Sequence, residues 1–173
     1  GETGLQGITG PTGPNAVTDY ASQYWIPGTT TQLNLYPYGK LPFPAEYVAP
    51  VGVSVSSMSA QGSYAPSTEF IFNSTGLYLI TYTVGLAPGS ATPNVTTNTV
   101  VQAAVYDSGG ETLIDGTILE PATSDDIATV TLMVYIDEIG TKFYVRSIYG
   151  DNRQLQADMT AAKNSITITR LAN

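Results

Sequence analysis

A chain of 173 residues with no histidine and no cysteine lacks the parts for most protein catalysis, because a Ser-His-Asp triad, a Cys-His pair and imidazole or thiolate metal ligands are all excluded. No disulfide framework can form, so stability must come from packing. Fourteen acidic against six basic residues leave a formal net charge of −8, and with no basic stripe to neutralise phosphates, nucleic acid is excluded as a partner.

In chain order, Gly1, Gly4, Gly7, Gly10 and Gly13 recur at every third residue. Only glycine fits at the crowded axis of three wound polyproline-like chains, so a strict period of three has a physical reason, and Pro11 and Pro14 favour the same backbone. Residues 1–15 therefore read as a collagen-like segment. At ~3.1 Å per residue it would extend about 45 Å, too short to be stable alone, and is expected to be the end of a longer stalk. Any targeting signal is expected upstream of Gly1. The third position of each triplet is Thr3, Gln6, Thr9, Thr12 or Asn15 and never proline. This threonine-rich pattern resembles bacterial and phage collagen-like proteins, and the resemblance implies sugars on Thr3, Thr9 and Thr12.

Residues 16–173 are expected to form one domain of ordinary size, rich in Thr, Ser, Tyr and Gly and poor in charge, which suits β-structure. Ser22 to Ile26 reads as a strand ending at Pro27-Gly28, and the proline-rich Leu33 to Pro50 region as irregular or edge-like. Val51, Val53 and Val55 alternate with Gly52, Ser54 and Ser56. Two strand halves meet across Asn73-Ser74-Thr75-Gly76 in the stretch Phe70 to Val84. Thr99 to Asp107 and Glu111 to Glu120 flank a hairpin signal at Ser108-Gly109-Gly110. Ile127 to Asp137 and Thr141 to Tyr149 are joined by Glu138-Ile139-Gly140. Leu155 to Lys163 reads as a loop or a turn of helix, and Ser165 to Leu171 closes the chain. No apolar run approaches the ~20 residues of a membrane span. Nine or ten short strands with regular turns predict an all-β sandwich.

After Gly76 the alternation places Tyr78, Ile80, Tyr82 and Val84 on one face and Leu77, Leu79, Thr81 and Thr83 on the other, so neither face begins polar. Such a strand needs cover on both sides. Gly76-Leu77-Tyr78-Leu79-Ile80, with Phe70 six positions before the glycine and Tyr82 after it, resembles the signature strand of the tumour necrosis factor (TNF) and complement globular-head superfamily. The terminal Ile166-Thr167-Ile168-Thr169-Arg170-Leu171 resembles the last strand of BclA-type collagen-like glycoproteins of bacterial spore surfaces.

These resemblances imply a ten-strand-type jelly roll that assembles as a homotrimer, a structural protein and not an enzyme, at the extracellular surface of a spore exosporium or appendage. Its head would nucleate and cap the collagen triple helix and present the outermost contact surface. Phe70, Gly76, Tyr78, Ile80 and Tyr82 would form the core signature. Leu77, Leu79, Thr81, Met133 and Tyr135 would face the trimer axis, Val130, Leu132, Val134 and Ile136 making the opposite, apolar face of their strand. Alternatives are a recognition head holding a receptor, a host-surface protein or a glycan, and a phage fibre tip. Asp125-Asp126 and Asp137-Glu138 lie in expected turns, which argues against a paired-carboxylate site. Asp107, Glu111 and Asp115 cluster around one hairpin and read as a solvent-facing acidic loop, so no metal and no cofactor are expected.

Overall fold

In a computed structural model of the chain, the described residues are 19–25, 33–62, 64–85, 100–120, 127–155 and 164–173. Twelve strands run in chain order: β1 (Tyr20–Trp25), β2 (Leu33–Leu35), β3 (Ala45–Val51), β4 (Val53–Met58), β5 (Ser67–Phe72), β6 (Gly76–Gly85), β7 (Val101–Asp107), β8 (Gly110–Leu113), β9 (Ile127–Ile136), β10 (Lys142–Ser147), β11 (Arg153–Leu155) and β12 (Asn164–Ala172). No helix occurs among the described residues.

Ten of these strands make two five-stranded sheets, ordered β3-β1-β12-β6-β9 and β4-β5-β10-β7-β8, while β2 and β11 form a small ribbon. The strand pairs within the sheets are antiparallel. Chain neighbours are repeatedly placed in opposite sheets, as with β5 and β6 or β9 and β10, which is the jelly-roll way of closing a sandwich.

The period of two on β6 is the axis of the core. Tyr78, Ile80, Tyr82 and Val84 are fully buried between the sheets, beside Ile166 and Ile168 of β12. From the other sheet come Phe70, Phe72 and Phe143, also fully buried. Aromatic rings stitch the layers together: Phe72 lies 4.5 Å from Tyr78 and Phe143 6.5 Å from Tyr82, both tilted. Burial leaves each phenol in need of a partner, and the Tyr82 hydroxyl donates to the Thr117 carbonyl at 3.0 Å.

The structure differs from the sequence expectation in three places. Val51, Val53 and Val55 are not on one strand, because Gly52 adopts a left-handed φ of 68° and sends the chain from β3 in one sheet to β4 in the other. The second arm of the Ser108 hairpin stops at Leu113. A turn closed by the Thr117 hydroxyl donating to the Ile114 carbonyl at 2.6 Å ends it, and Leu119 returns only as an isolated bridge to Val101. The proline-rich region agrees with its edge-like reading, since Ala45–Val51 forms an edge strand that tolerates Pro50. Leu155 belongs to β11, paired with Leu33, while 156–163 lie outside the described residues.

Gly76 shows why the signature strand opens on glycine. Its φ is 140°, and a Cβ there would overlap the Ala172 carbonyl oxygen of the neighbouring strand. Gly76→Ala is expected to combine backbone strain with that overlap and to cost roughly 3 kcal/mol. Denaturant unfolding of the variant checks this, and a midpoint equal to the parent's would refute it.

Candidate functional site: the uncovered sheet face and an outer groove

The sheet β3-β1-β12-β6-β9 has one face on the core and one facing outward. On the outward face, register places Leu77 opposite Tyr135, Leu79 opposite Met133, Thr81 opposite Thr131 and Thr83 opposite Thr129. The last two pairs share side-chain hydrogen bonds of 3.0 and 2.9 Å, a polar ladder that stiffens the centre of the face. Thr169 and Thr167 of β12 continue the rows beside Leu79 and Thr81. At the far side Tyr24 stacks on Tyr47 with ring centroids 4.1 Å apart.

Two properties set this surface apart. First, β1, β6, β9 and β12 together contain one charged residue, Arg170. That residue turns off the face, its guanidinium donating to the Thr75 carbonyl at 2.5 Å and lying 3.7 Å from the Asp19 carboxylate. Second, large apolar side chains stand uncovered in a single subunit, with Met133 66% and Tyr135 62% exposed. Leu77, Leu79 and Thr81 are half-buried, because β6 is a central strand flanked by β12 and β9, whereas β9 is the sheet edge. A contiguous, uncharged, partly apolar face on a molecule of net charge −8 is the kind of surface that marks association.

The sheet also has two distinct ends. Tyr20, Gly76, Ile136 and Ala172 lie at one end, where Asp19 precedes β1, and Trp25, Gly85, Ile127 and Asn164 lie at the other. At the first end Asp19 is held by a buried cluster that the sequence reading overlooked. The Tyr78 hydroxyl lies 2.9 Å from both Asp19 Oδ2 and the Ser74 carbonyl, and the Arg170 amide donates to the Asp19 carbonyl at 2.9 Å. Burial, together with the hydrogen bond to Asp19, pushes the Tyr78 phenol well above its usual value. The collagen-like residues 1–15 and their candidate sugar sites Thr3, Thr9 and Thr12 lie outside the described residues, as do Asp125 and Asp126.

On the opposite sheet a groove of about 630 Å3 opens outward. Strand alternation turns Lys142, Tyr144 and Arg146 of β10 into it, next to Glu69 of β5, Tyr106 of β7 and Glu111 of β8. Glu69 is paired with Lys40 and, at 3.1 Å, with Lys142. Glu111 accepts from the Tyr144 hydroxyl at 2.7 Å and from Arg146 Nη2 at 2.6 Å. Glu111 is thus committed to an ion pair, while the Asp107 carboxylate accepts from the Gly109 amide at 2.7 Å. The sequence reading missed this constellation, although Lys-x-Tyr-x-Arg at period two was there to be seen.

Burial would raise both carboxyls, but the hydrogen bonds from their cationic and phenolic partners outweigh it and hold Glu69 and Glu111 below the 4.5 of a free glutamate. The unfolded chain therefore takes up protons first as pH falls, and the stability these groups contribute, present above about pH 4.5, is lost as pH drops through their folded values. Tyrosines act at the other limb. Burial pushes Tyr82 to about 12, and Tyr78 and Tyr144 also lie above the 10 of a free phenol. Their contribution is complete below about pH 10 and is lost as pH rises through the folded values. The melting temperature is expected to fall on both sides of a plateau, and a profile flat to pH 12 would contradict the buried phenols.

With this geometry established, comparison with solved structures finds the same architecture. A crystal structure of murine APRIL at pH 5.0 superposes with a TM-score of 0.52 at 11% identity, covering 89% of this chain and 99% of that chain. Murine APRIL at pH 8.5 gives 0.50 at 11% identity, covering 88% and 99%. The fold is the TNF-like jelly roll. No protein-family model matches the sequence, and no curated protein does.

Proposed function

We propose that the chain is the trimeric head of a collagen-like filament, with residues 1–15 as the end of the stalk and 16–173 as the head. The observation that carries this reading is the uncovered face of β1, β12, β6 and β9, free of charge and led by exposed Met133 and Tyr135 on an otherwise acidic molecule. The glycine repeat supplies the number three, since a triple helix needs three chains in register. Three heads joined through this face, Leu77, Leu79 and Thr81 lying toward the axis, would set the sheet end at Asp19 on the same side in all three subunits and fix the stagger of the stalks. The sheet end with Trp25 and Gly85 would then point outward.

The mechanism is nucleation and display. Collagen-like chains pay a large entropic cost to find their register, and a trimeric head removes it by making the search intramolecular. An extracellular location, on a bacterial spore or a surface appendage, follows from the threonine-rich stalk and the BclA-type resemblance of Ile166 to Leu171. Among the described residues no helix is long and apolar enough to cross a membrane. The test is refolding of the head fused to a longer Gly-x-y stalk, followed by the triple-helix circular dichroism signal. Rapid recovery with the head present, and slow, concentration-dependent recovery with Met133→Asp, is expected. Equal recovery in both would refute nucleation.

A further inference from the structure

The groove on the sheet β4-β5-β10-β7-β8 has no part in head assembly, because it opens on the side of the sandwich away from the uncovered face. Three of the six basic residues of the whole chain, Lys40, Lys142 and Arg146, converge there, against two carboxylates. On a molecule of net charge −8 this is a local reversal of sign. Ion pairing does not exhaust the cations. Each ammonium carries three donors, and Lys142 spends one of them on Glu69 while its side chain stays 38% exposed. Lys40, 31% exposed, also pairs with Glu69 and lies 4.2 Å from the Tyr144 ring. Arg146 is 9% exposed and fixed by the Ser147 carbonyl and Glu111, so the floor of the groove is rigid.

The walls add flat apolar surface. Tyr106 is 47% and Tyr38 56% exposed, each beside a cation: Lys142 stands 6.0 Å from the Tyr106 ring and Arg146 5.2 Å from that of Tyr38. Uncovered rings next to ammonium groups with spare donors suit a ligand that has a flat C–H face and a carboxylate on the same ring. The volume, about 630 Å3, falls within the ~300–1,000 Å3 of ordinary small-molecule clefts.

We propose that this groove binds a carboxylate-bearing saccharide, its sugar ring packed on Tyr106 and its carboxylate held by Lys142 and Lys40. A neutral sugar would leave the spare ammonium donors with water alone, and an acidic peptide would lack the rigid C–H face for the tyrosine. Binding does not depend on trimerisation, though three grooves per trimer would raise avidity for a polymeric glycan.

Calorimetric titration of the full chain with trigalacturonate tests the proposal, with maltotriose as the neutral sugar and triglutamate as the carboxylate without a sugar. Trigalacturonate is expected to bind at least about tenfold more tightly than either, the scale of one charge-assisted contact. Lys142→Gln and Tyr106→Ala should each weaken it by about tenfold, with the thermal melt unchanged within a few degrees because both side chains are at the rim. Equal binding of maltotriose, equal binding of triglutamate, retention of affinity in Lys142→Gln, or no heat with trigalacturonate would each overturn the proposal.

Discussion

Met133→Asp is expected to convert the proposed trimer of heads into monomers that remain folded. Met133 projects from the edge strand β9 and is 66% exposed in a single subunit, so in the proposed trimer its surface would be removed from water only on assembly. Burying a methionine contributes roughly 1.5 to 3 kcal/mol, and a threefold arrangement repeats that contribution in every subunit. Aspartate would lose it and add carboxylates that must be desolvated near one another. The trimer should weaken by several kcal/mol, or at least about a hundredfold in dissociation constant. The subunit itself should stay folded, since the side chain reaches no part of the core, with its melting temperature lowered only by the loss of association. Leu79→Asp should also disrupt assembly, but as a half-buried residue on a central strand it should soften the sheet too. Removing residues 1–15 should change little, because five triplets contribute little to association.

Tyr78→Ala is expected to act in the opposite sense, on the subunit before the assembly. Tyr78 is fully buried, packs 4.5 Å from Phe72 across the two layers, and places its hydroxyl 2.9 Å from the Asp19 carboxylate. Truncating a large buried aromatic costs about 3 to 5 kcal/mol, and here the Asp19 carboxylate also loses the hydroxyl beside it. Tyr78→Phe isolates the second part and should cost about 1 kcal/mol, the ordinary net value of one buried hydrogen bond. Denaturant unfolding of the two variants separates the effects. A Tyr78→Ala cost below that of Tyr78→Phe would show that packing across the layers is not what this residue supplies.

The class of fold was legible because its strongest signal is local. Nine residues from Gly76 to Val84 alternate without a break, so the inward set Tyr78, Ile80, Tyr82 and Val84 could be read directly. What stayed hidden depends on pairs distant in sequence. The valines at 51, 53 and 55 look like one strand, and only the left-handed backbone at Gly52, with the Asp19 side chain occupying the space where its Cβ would go, shows that the chain changes sheets there. Periodicity likewise groups Leu79 with Met133 and Tyr135, but it cannot tell a central strand from an edge. Leu79 is shielded on both flanks, while the two β9 residues stand clear.

The groove was obscured for a related reason. Lys142, Tyr144 and Arg146 share one face of β10, yet their meaning comes from Lys40, Glu69, Tyr106 and Glu111, which four other segments deliver. Charge counted along the chain gives an acidic protein; charge placed in space gives an acidic protein whose described residues form a basic, tyrosine-walled cleft.

Sedimentation velocity of the full chain at micromolar concentration tests most directly whether the uncovered face is an assembly surface. A single species at three times the 18.2 kDa chain mass, reduced to one chain mass by Met133→Asp, is the expected result. A parent chain that sediments as a monomer would contradict it.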